Sequence, residues 1–156
     1  MTLSPDLREL PDDLTPLMVA GTPFATTLGA HLVSRTLEQV VLAVDAPIEL
    51  HNHVGGPHAA TLFGLAETAA AAVILTVFED LFRDGAVPLI KSAEISYLAI
   101  ATGEVTATAR FTGDADGVRA CLAERSVAVF PVEVSLTTAD GTECARFTGQ
   151  MALKRF

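Results

Sequence analysis

Between Ala59 and Phe78 only one residue carries charge, Glu67. Leu62, Phe63, Ala66, Ala69, Ala70, Val73, Ile74 and Val77 recur there at helical spacing, so the run reads as a helix that is apolar nearly all round. Such a helix must be buried on most of its sides. Its length also suits a bilayer span. Alanine contributes little to insertion, however, and a carboxylate near the middle of a span is expensive, so a core helix is the expected state. A lone carboxylate inside an apolar helix is costly unless something uses it or satisfies it. Glu67 is therefore either a working group or a buried carboxylate with a structural partner.

A polar, glycine-bearing loop feeds this helix: His51-Asn52-His53-Val54-Gly55-Gly56-Pro57-His58. Gly56-Pro57 reads as the helix entry, with Pro57 in the first turn. Asp84-Gly85 closes the helical stretch near Arg83 with a C-terminal glycine signal. Upstream, Leu3, Leu7, Leu10 and Leu14 suggest a short amphipathic piece, and Thr15-Pro16 and Thr22-Pro23 read as helix starts for short helices over 16–20 and 23–29. His31 to Val44 reads as one strand, interrupted by Ser34, Arg35, Glu38 and Gln39.

Four strands follow the long helix. The first runs from Leu89 to Ile100, with Ala93, Ile95 and Tyr97 on one face. In the second, Gly103 to Thr112, Val105, Ala107, Ala109 and Phe111 alternate with polar residues. The third, Val127 to Thr137, changes phase from Val127 and Val129 to Val132, Val134 and Leu136, which predicts a bulge or an edge at Pro131. Asp140-Gly141 marks a hairpin turn into the fourth, Thr142 to Leu153. Val118, Cys121 and Leu122 suggest a short surface helix within 113–126. The expected class is α+β: an antiparallel sheet curled around one long central helix, in a single domain over 1–156. One sheet cannot cover a helix that is apolar all round, so a second subunit is the expected cover for the rest.

The formal charge of −9 argues against nucleic-acid binding and against an anionic membrane surface, since both need a basic face. The N-terminal segment holds Pro5, Asp6 and Glu9 and no apolar core of a secretory signal. Two cysteines, Cys121 and Cys144, are too few for a disulfide scaffold, so reduced thiols and a cytoplasmic setting are expected.

The order of elements is that of the hotdog fold, and the loop resembles the phenylacetyl-CoA-type thioesterases within it. Their motif reads Asn, three residues to Gly, three more to His, then Gly-Gly, with an acidic residue nine after the His. Asn52, Gly55, His58 and Glu67 fall in that register, with Phe63 and Leu65 in the usual apolar slots. Ile95-Ser96-Tyr97 and Gly103-Glu104 also look like the family. The family's Gly-Gly is Ala59-Ala60 here, and a water-orienting Ser or Thr often found on the next strand falls on or beside Ile90, with Ser92 close by. The resemblance implies an acyl-CoA or acyl-carrier thioesterase without metal or cofactor. It implies Asn52 and the Ala59 amide around the thioester oxygen, His58 near the leaving group, and Glu67 as general base or nucleophile. Gly55, Gly56, Leu62, Phe63 and Lys91 are the candidate substrate contacts, and Arg110, Arg119 and Arg125 are further candidates for CoA phosphates.

Bland alternatives stand beside each role. Asn52 in a glycine-rich loop also supports a turn, and His58 also serves as a helix-terminal hydrogen-bonding residue. His51, His53, His58 and Glu67 have the composition of a metal cluster but not the spacing, because a helix carries Glu67 away from its own His58. A catalytically silent hotdog protein that binds an acyl ligand is the alternative from a different class. Hydratase-type hotdog enzymes pair an Asp with a His in another motif, which this chain lacks. Geometry adds one constraint. Ala59 and Glu67 are about 12 Å apart along a helix axis, so one carbonyl carbon cannot touch both. Two antiparallel helices across a twofold axis can join one helix start to the other Glu67, which predicts a homodimer or a dimer of dimers with sites at the interface.

Overall fold

A computed structural model describes residues 15–156, so the amphipathic leucines of 3–14 lie outside the described residues. Two short helices, α1 (Thr15–Gly21) and α2 (Pro23–Leu28), are followed by strands β1 (His31–Arg35) and β2 (Gln39–Val44) and a 3-10 turn over Ile48–Leu50. Then come α3 (Ala59–Val77), α4 (Glu79–Arg83), β3 (Val87–Tyr97), β4 (Val105–Phe111), α5 (Ala115–Arg125), β5 (Val127–Thr138) and β6 (Glu143–Lys154). The strands form one six-stranded sheet in the order β1-β2-β4-β5-β6-β3, antiparallel at every pair.

The sheet curls around α3, which packs against β2, β4, β5, β3 and β6. Leu65, Ala66, Ala69, Ala70, Val73 and Ile74 are fully buried, facing Val40, Leu42, Ala107, Ala109, Val134 and Phe147 from the strands in one core. Apart from the two ends, where Ala59 is exposed and Val77 half-buried, only a narrow stripe of α3 escapes: Ala60 is exposed, and Phe63, Glu67 and Ala71 are half-buried. That spacing is one helical face. Glu67 stands on the one side of α3 that the sheet leaves open.

Several boundaries differ from the sequence reading. The single strand expected over His31 to Val44 is a hairpin. Thr36 N–H donates to Gln39 O, and the Glu38 and Gln39 amides donate to Thr36 Oγ1, so the polar stretch in its middle is a turn closed by a threonine. The long helix breaks at Phe78 (φ −120°), and α4 follows separately. Its N-cap is His58, so Pro57 precedes the helix rather than opening it. β5 keeps one phase throughout: Ala128, Phe130, Val132, Val134 and Leu136 point inward, and Val127 and Val129 are exposed. Its register against β6 runs unbroken past Pro131 and shifts only between Leu136 and Thr137. The proline is tolerated because β4 ends at Phe111, opposite Val132, which leaves Pro131 just past the last β4 pair. The expected turns at Asp84-Gly85 and Asp140-Gly141 are present, with Gly85 at φ 85° and Gly141 at φ 86°, as is the helix within 113–126.

β3 is an edge strand, paired only with β6. Leu89, Ile90 and Tyr97 along it, and Leu98 and Ile100 just beyond, are all more than a third exposed. An apolar edge of this length is the kind of surface that another chain covers.

Candidate active site

The loop before α3 is organised by Asn52. Its Oδ1 accepts from Val54 N–H (2.9 Å) and Gly56 N–H (3.3 Å), and its Nδ2 donates to Pro57 O (3.2 Å). Both ends of the amide are thus spent on the loop itself. Gly55 sits at φ 85°, where a side chain is strained. Gly56 is buried, and a Cβ there would collide with the carbonyl oxygen of Ala101. The obstacle is backbone, which cannot rotate away. Gly56→Ala is expected to displace the loop and lower stability by about 1–3 kcal/mol, the usual overpacking cost. Thermal unfolding checks this, and an unchanged midpoint would refute the close approach.

The helix start is bolted to the same loop. His58 N–H donates to Leu50 O (2.8 Å), and Thr61 Oγ1 donates to Leu50 O (3.1 Å). His58 caps α3: Ala60 N–H donates to its Nδ1 (3.0 Å). A neutral ring that accepts at Nδ1 carries its proton on Nε2. His58 therefore takes one of the free amides of the first turn, while the Ala59 and Thr61 N–H groups, which precede the first helical bond from Leu62 N–H to His58 O, have no acceptor within the helix. Tyr97 Oη donates to Ala59 O (3.1 Å), which ties β3 to the same helix start.

From this point a groove of about 560 Å³ runs along the open stripe of α3, lined by Ala60, Phe63, Gly64 and Glu67 from the helix, Ile90 and Tyr97 from β3, and Phe24 from α2. The volume is in the range of small-molecule sites. Phe63 is held edge-on against Phe147, with ring centroids 5.5 Å apart. Glu67 is the one carboxyl in a lining that is otherwise apolar apart from the Tyr97 hydroxyl, and among the described residues no group hydrogen-bonds to it. Burial pushes its carboxyl above the usual carboxylate range, because the charged form loses hydration and gains no partner. Burial likewise pushes the Tyr97 phenol up. A site with a half-buried, unpartnered carboxylate, a helix-start amide and apolar walls can bind an apolar group and accept a proton beside it.

The sequence-derived candidates divide. Glu67 and Phe63 line the groove, and His58 and Ala59 stand at its helix-start end. Leu62 does not line it: it is buried on the core side of α3. Lys91 is exposed at the irregularity of β3 between Ile90 and Ser92, outside the lining. Gly55 and Gly56 shape the loop rather than the groove. Ile90 lines the groove where a water-orienting hydroxyl was sought, and Ser92 is not in the lining. Arg119 is paired with Asp80 (3.0 Å), donates to Val77 O and lies over the Phe78 ring, and Arg110 donates to Gln39 Oε1. His51 Nε2 bonds Ala46 O (2.8 Å) and His53 is exposed, so the loop histidines do not converge on Glu67. Phe24 and Tyr97 were not anticipated as site residues. The glycine at position 64 was the available signal, since glycine inside a helix usually marks a close approach.

The model of the family described as Domain of unknown function (DUF4442) matches residues 14–153. A search of curated proteins finds no match. Among solved structures, a protein of unknown function from Pseudomonas aeruginosa described as a probable thioesterase is 25% identical. The alignment covers 94% of this chain and 97% of that one, with a TM-score of 0.78. A thioesterase family protein from Silicibacter pomeroyi is 17% identical over 91% and 96% of the two chains, with a TM-score of 0.73. The PaaI protein from the phenylacetic acid degradation operon of E. coli is 18% identical over 90% and 88%, with a TM-score of 0.68. Six antiparallel strands wrapped on one long helix, superposing on these proteins along nearly their whole length, place this chain in the DUF4442 family, within the hotdog-fold thioesterase superfamily.

Proposed function

We propose that this protein is a thioesterase acting on acyl-CoA or acyl-carrier thioesters. The observation that carries the reading is the Glu67 carboxylate, unpartnered among the described residues and facing an apolar groove that runs back to a helix start. As general base, Glu67 takes a proton from water while the water oxygen bonds to the thioester carbonyl carbon. The oxyanion is held by the Ala59 N–H in the positive field of the α3 N-terminus. The C–S bond then breaks, the carboxylic acid forms, and the proton returns to the departing thiolate. As nucleophile, the Glu67 carboxylate attacks the carbonyl carbon, the C–S bond breaks as the thiolate departs, and water opens the resulting mixed anhydride to release the carboxylic acid and restore the Glu67 carboxylate. Either route needs no metal. His58 Nε2–H is the donor for the leaving sulfur, Asn52 acts by holding the loop, and Lys91, next in sequence to the lining residue Ile90, is a candidate for a CoA phosphate.

Ala60 and Glu67 lie about 10 Å apart along the axis, near opposite ends of the groove, so one carbonyl carbon does not reach both within one chain. The reading therefore includes a homodimer, or a dimer of dimers, in which the open stripe of α3 and the apolar edge of β3 are covered by a second copy and two composite sites form. Light scattering at micromolar concentration should return at least twice the chain mass, and a monomer would remove the composite site.

A silent acyl-binding protein is the second reading. It is favoured by His58 occupying the Ala60 amide, by the methyls of Ala59 and Ala60 at the helix start, and by apolar Ile90 in the lining. Thiol release from a panel of acyl-CoAs, with Glu67→Gln alongside, decides between the two. If wild type and variant show equally negligible release on every substrate, the enzyme reading fails.

A further inference from the structure

One wall of the groove comes from outside both α3 and β3. Phe24 belongs to α2, whose Ala25 and Leu28 are buried in the core and whose end is closed by Gly29 at φ 74°. The helix is thus anchored on one side, yet Phe24 stands 55% exposed on the other. Its ring lies directly on the backbone of α3 at Gly64. A methyl group there would fall 2.6 Å from Phe24 Cε1 and 2.8 Å from Cζ, while the next neighbour, Leu28 Cδ2, would be in ordinary contact at 3.6 Å. Gly64 and Glu67 are one turn apart on the same face. Gly64 also lies between Ala60 and Glu67, so anything reaching along the groove from the helix start to the carboxylate passes the Phe24 ring.

We propose that Phe24 is the specificity-determining residue of this groove: seated on Gly64, its ring sets the width beside Glu67 and selects slim, unbranched apolar acyl groups over bulky ones. The inference rests on the thioesterase reading and deepens it. A ring that only shielded Gly64 would leave the acyl preference untouched when removed. A ring that walls the groove changes that preference, and Gly64 acts only through it.

The test compares butyryl-CoA with phenylacetyl-CoA, by kcat/KM for thiol release and by Kd for the two non-hydrolysable thioether analogues. Phe24→Ala should raise the phenylacetyl-to-butyryl ratio about tenfold or more, the usual scale for a changed apolar contact, and Phe24→Leu should fall between. Gly64→Ala pushes the ring into the groove and should lower the ratio, but should have no effect on it in the Phe24→Ala background, because nothing else crowds that position. Circular dichroism melts confirm folding, and the exposed ring makes Phe24→Ala a mild change. Ratios for wild type and Phe24→Ala within about twofold of each other, in turnover and in binding, would overturn the proposal. If no thiol is released but the analogues bind with the Phe24-dependent ratio, the hydrolysis reading fails while the wall stands. If neither analogue binds either protein, both fail.

Discussion

Glu67→Gln is expected to lower kcat/KM for thioester hydrolysis by at least about a hundredfold while leaving the fold intact or firmer. General-base catalysis contributes about 10²–10⁴-fold, and the amide keeps the shape of the carboxylate without its basicity. The two effects run in opposite directions for one physical reason. Burial raises the Glu67 pKa because the groove offers the charged form no partner. The folded state therefore holds its proton at pH values where the unfolded chain has already released it. By linkage, the stability this group contributes is full below its unfolded pKa and is lost as pH rises through the raised folded value. Near neutrality the glutamine variant should then melt at or above the wild-type temperature, with the difference vanishing in acid. The same raised pKa should shift the rising limb of the wild-type kcat/KM–pH profile upward from the ordinary carboxylate range. Stopped assays across pH, paired with melts, test both. A variant as active as wild type, or one destabilised at pH 7 and not in acid, would contradict this account of Glu67.

Phe78→Ala is expected to be the most destabilising of the substitutions considered. The ring is fully buried where α3 gives way to α4. It packs against Phe111 (5.2 Å) and Phe130 (5.4 Å), which also touch each other, and Arg119 lies over it at 5.1 Å. Truncating a buried phenylalanine costs about 3–5 kcal/mol, the loss of transfer energy plus the cavity left behind. For a chain of this size that lowers the midpoint by about 10 °C. Because Phe78 lies at the far end of α3 from the groove, any surviving folded protein should keep the acyl preference of wild type. Denaturant unfolding measures the first effect, and a midpoint within a degree or two of wild type would show that the cluster relaxes around the gap.

The elements legible in the sequence were those with unmistakable periods. Val105 to Phe111 alternates cleanly and is β4, and the Asp-Gly pairs at 84–85 and 140–141 are the turns they resemble. The hairpin inside His31 to Val44 was illegible because its turn has neither glycine nor proline and is closed by the Thr36 hydroxyl. The phase change read at Pro131 came from counting valines. Valine favours strands on either face, and only pairing with β6 shows that Val127 and Val129 point outward while Ala128 and Phe130 point in.

For the site, the register of Asn52, His58 and Glu67 was visible, and so was the need for a buried helix behind it. Of the residues that shape the groove, Phe63 and the Ile90 position were visible too, but Phe24 and Tyr97 were not. Those two are far apart in sequence and meet only because α2 and β3 flank the same side of α3. Leu62 and Phe63 are neighbours with similar chemistry, yet one is core and the other lines the groove. A helix that is apolar nearly all round carries no signal of which side will stay open. The sequence determined that α3 would be central and that Glu67 would be its anomaly. Which face Glu67 shares, and with what walls, was decided by how far a six-stranded sheet can curl before the helix surface runs out of cover.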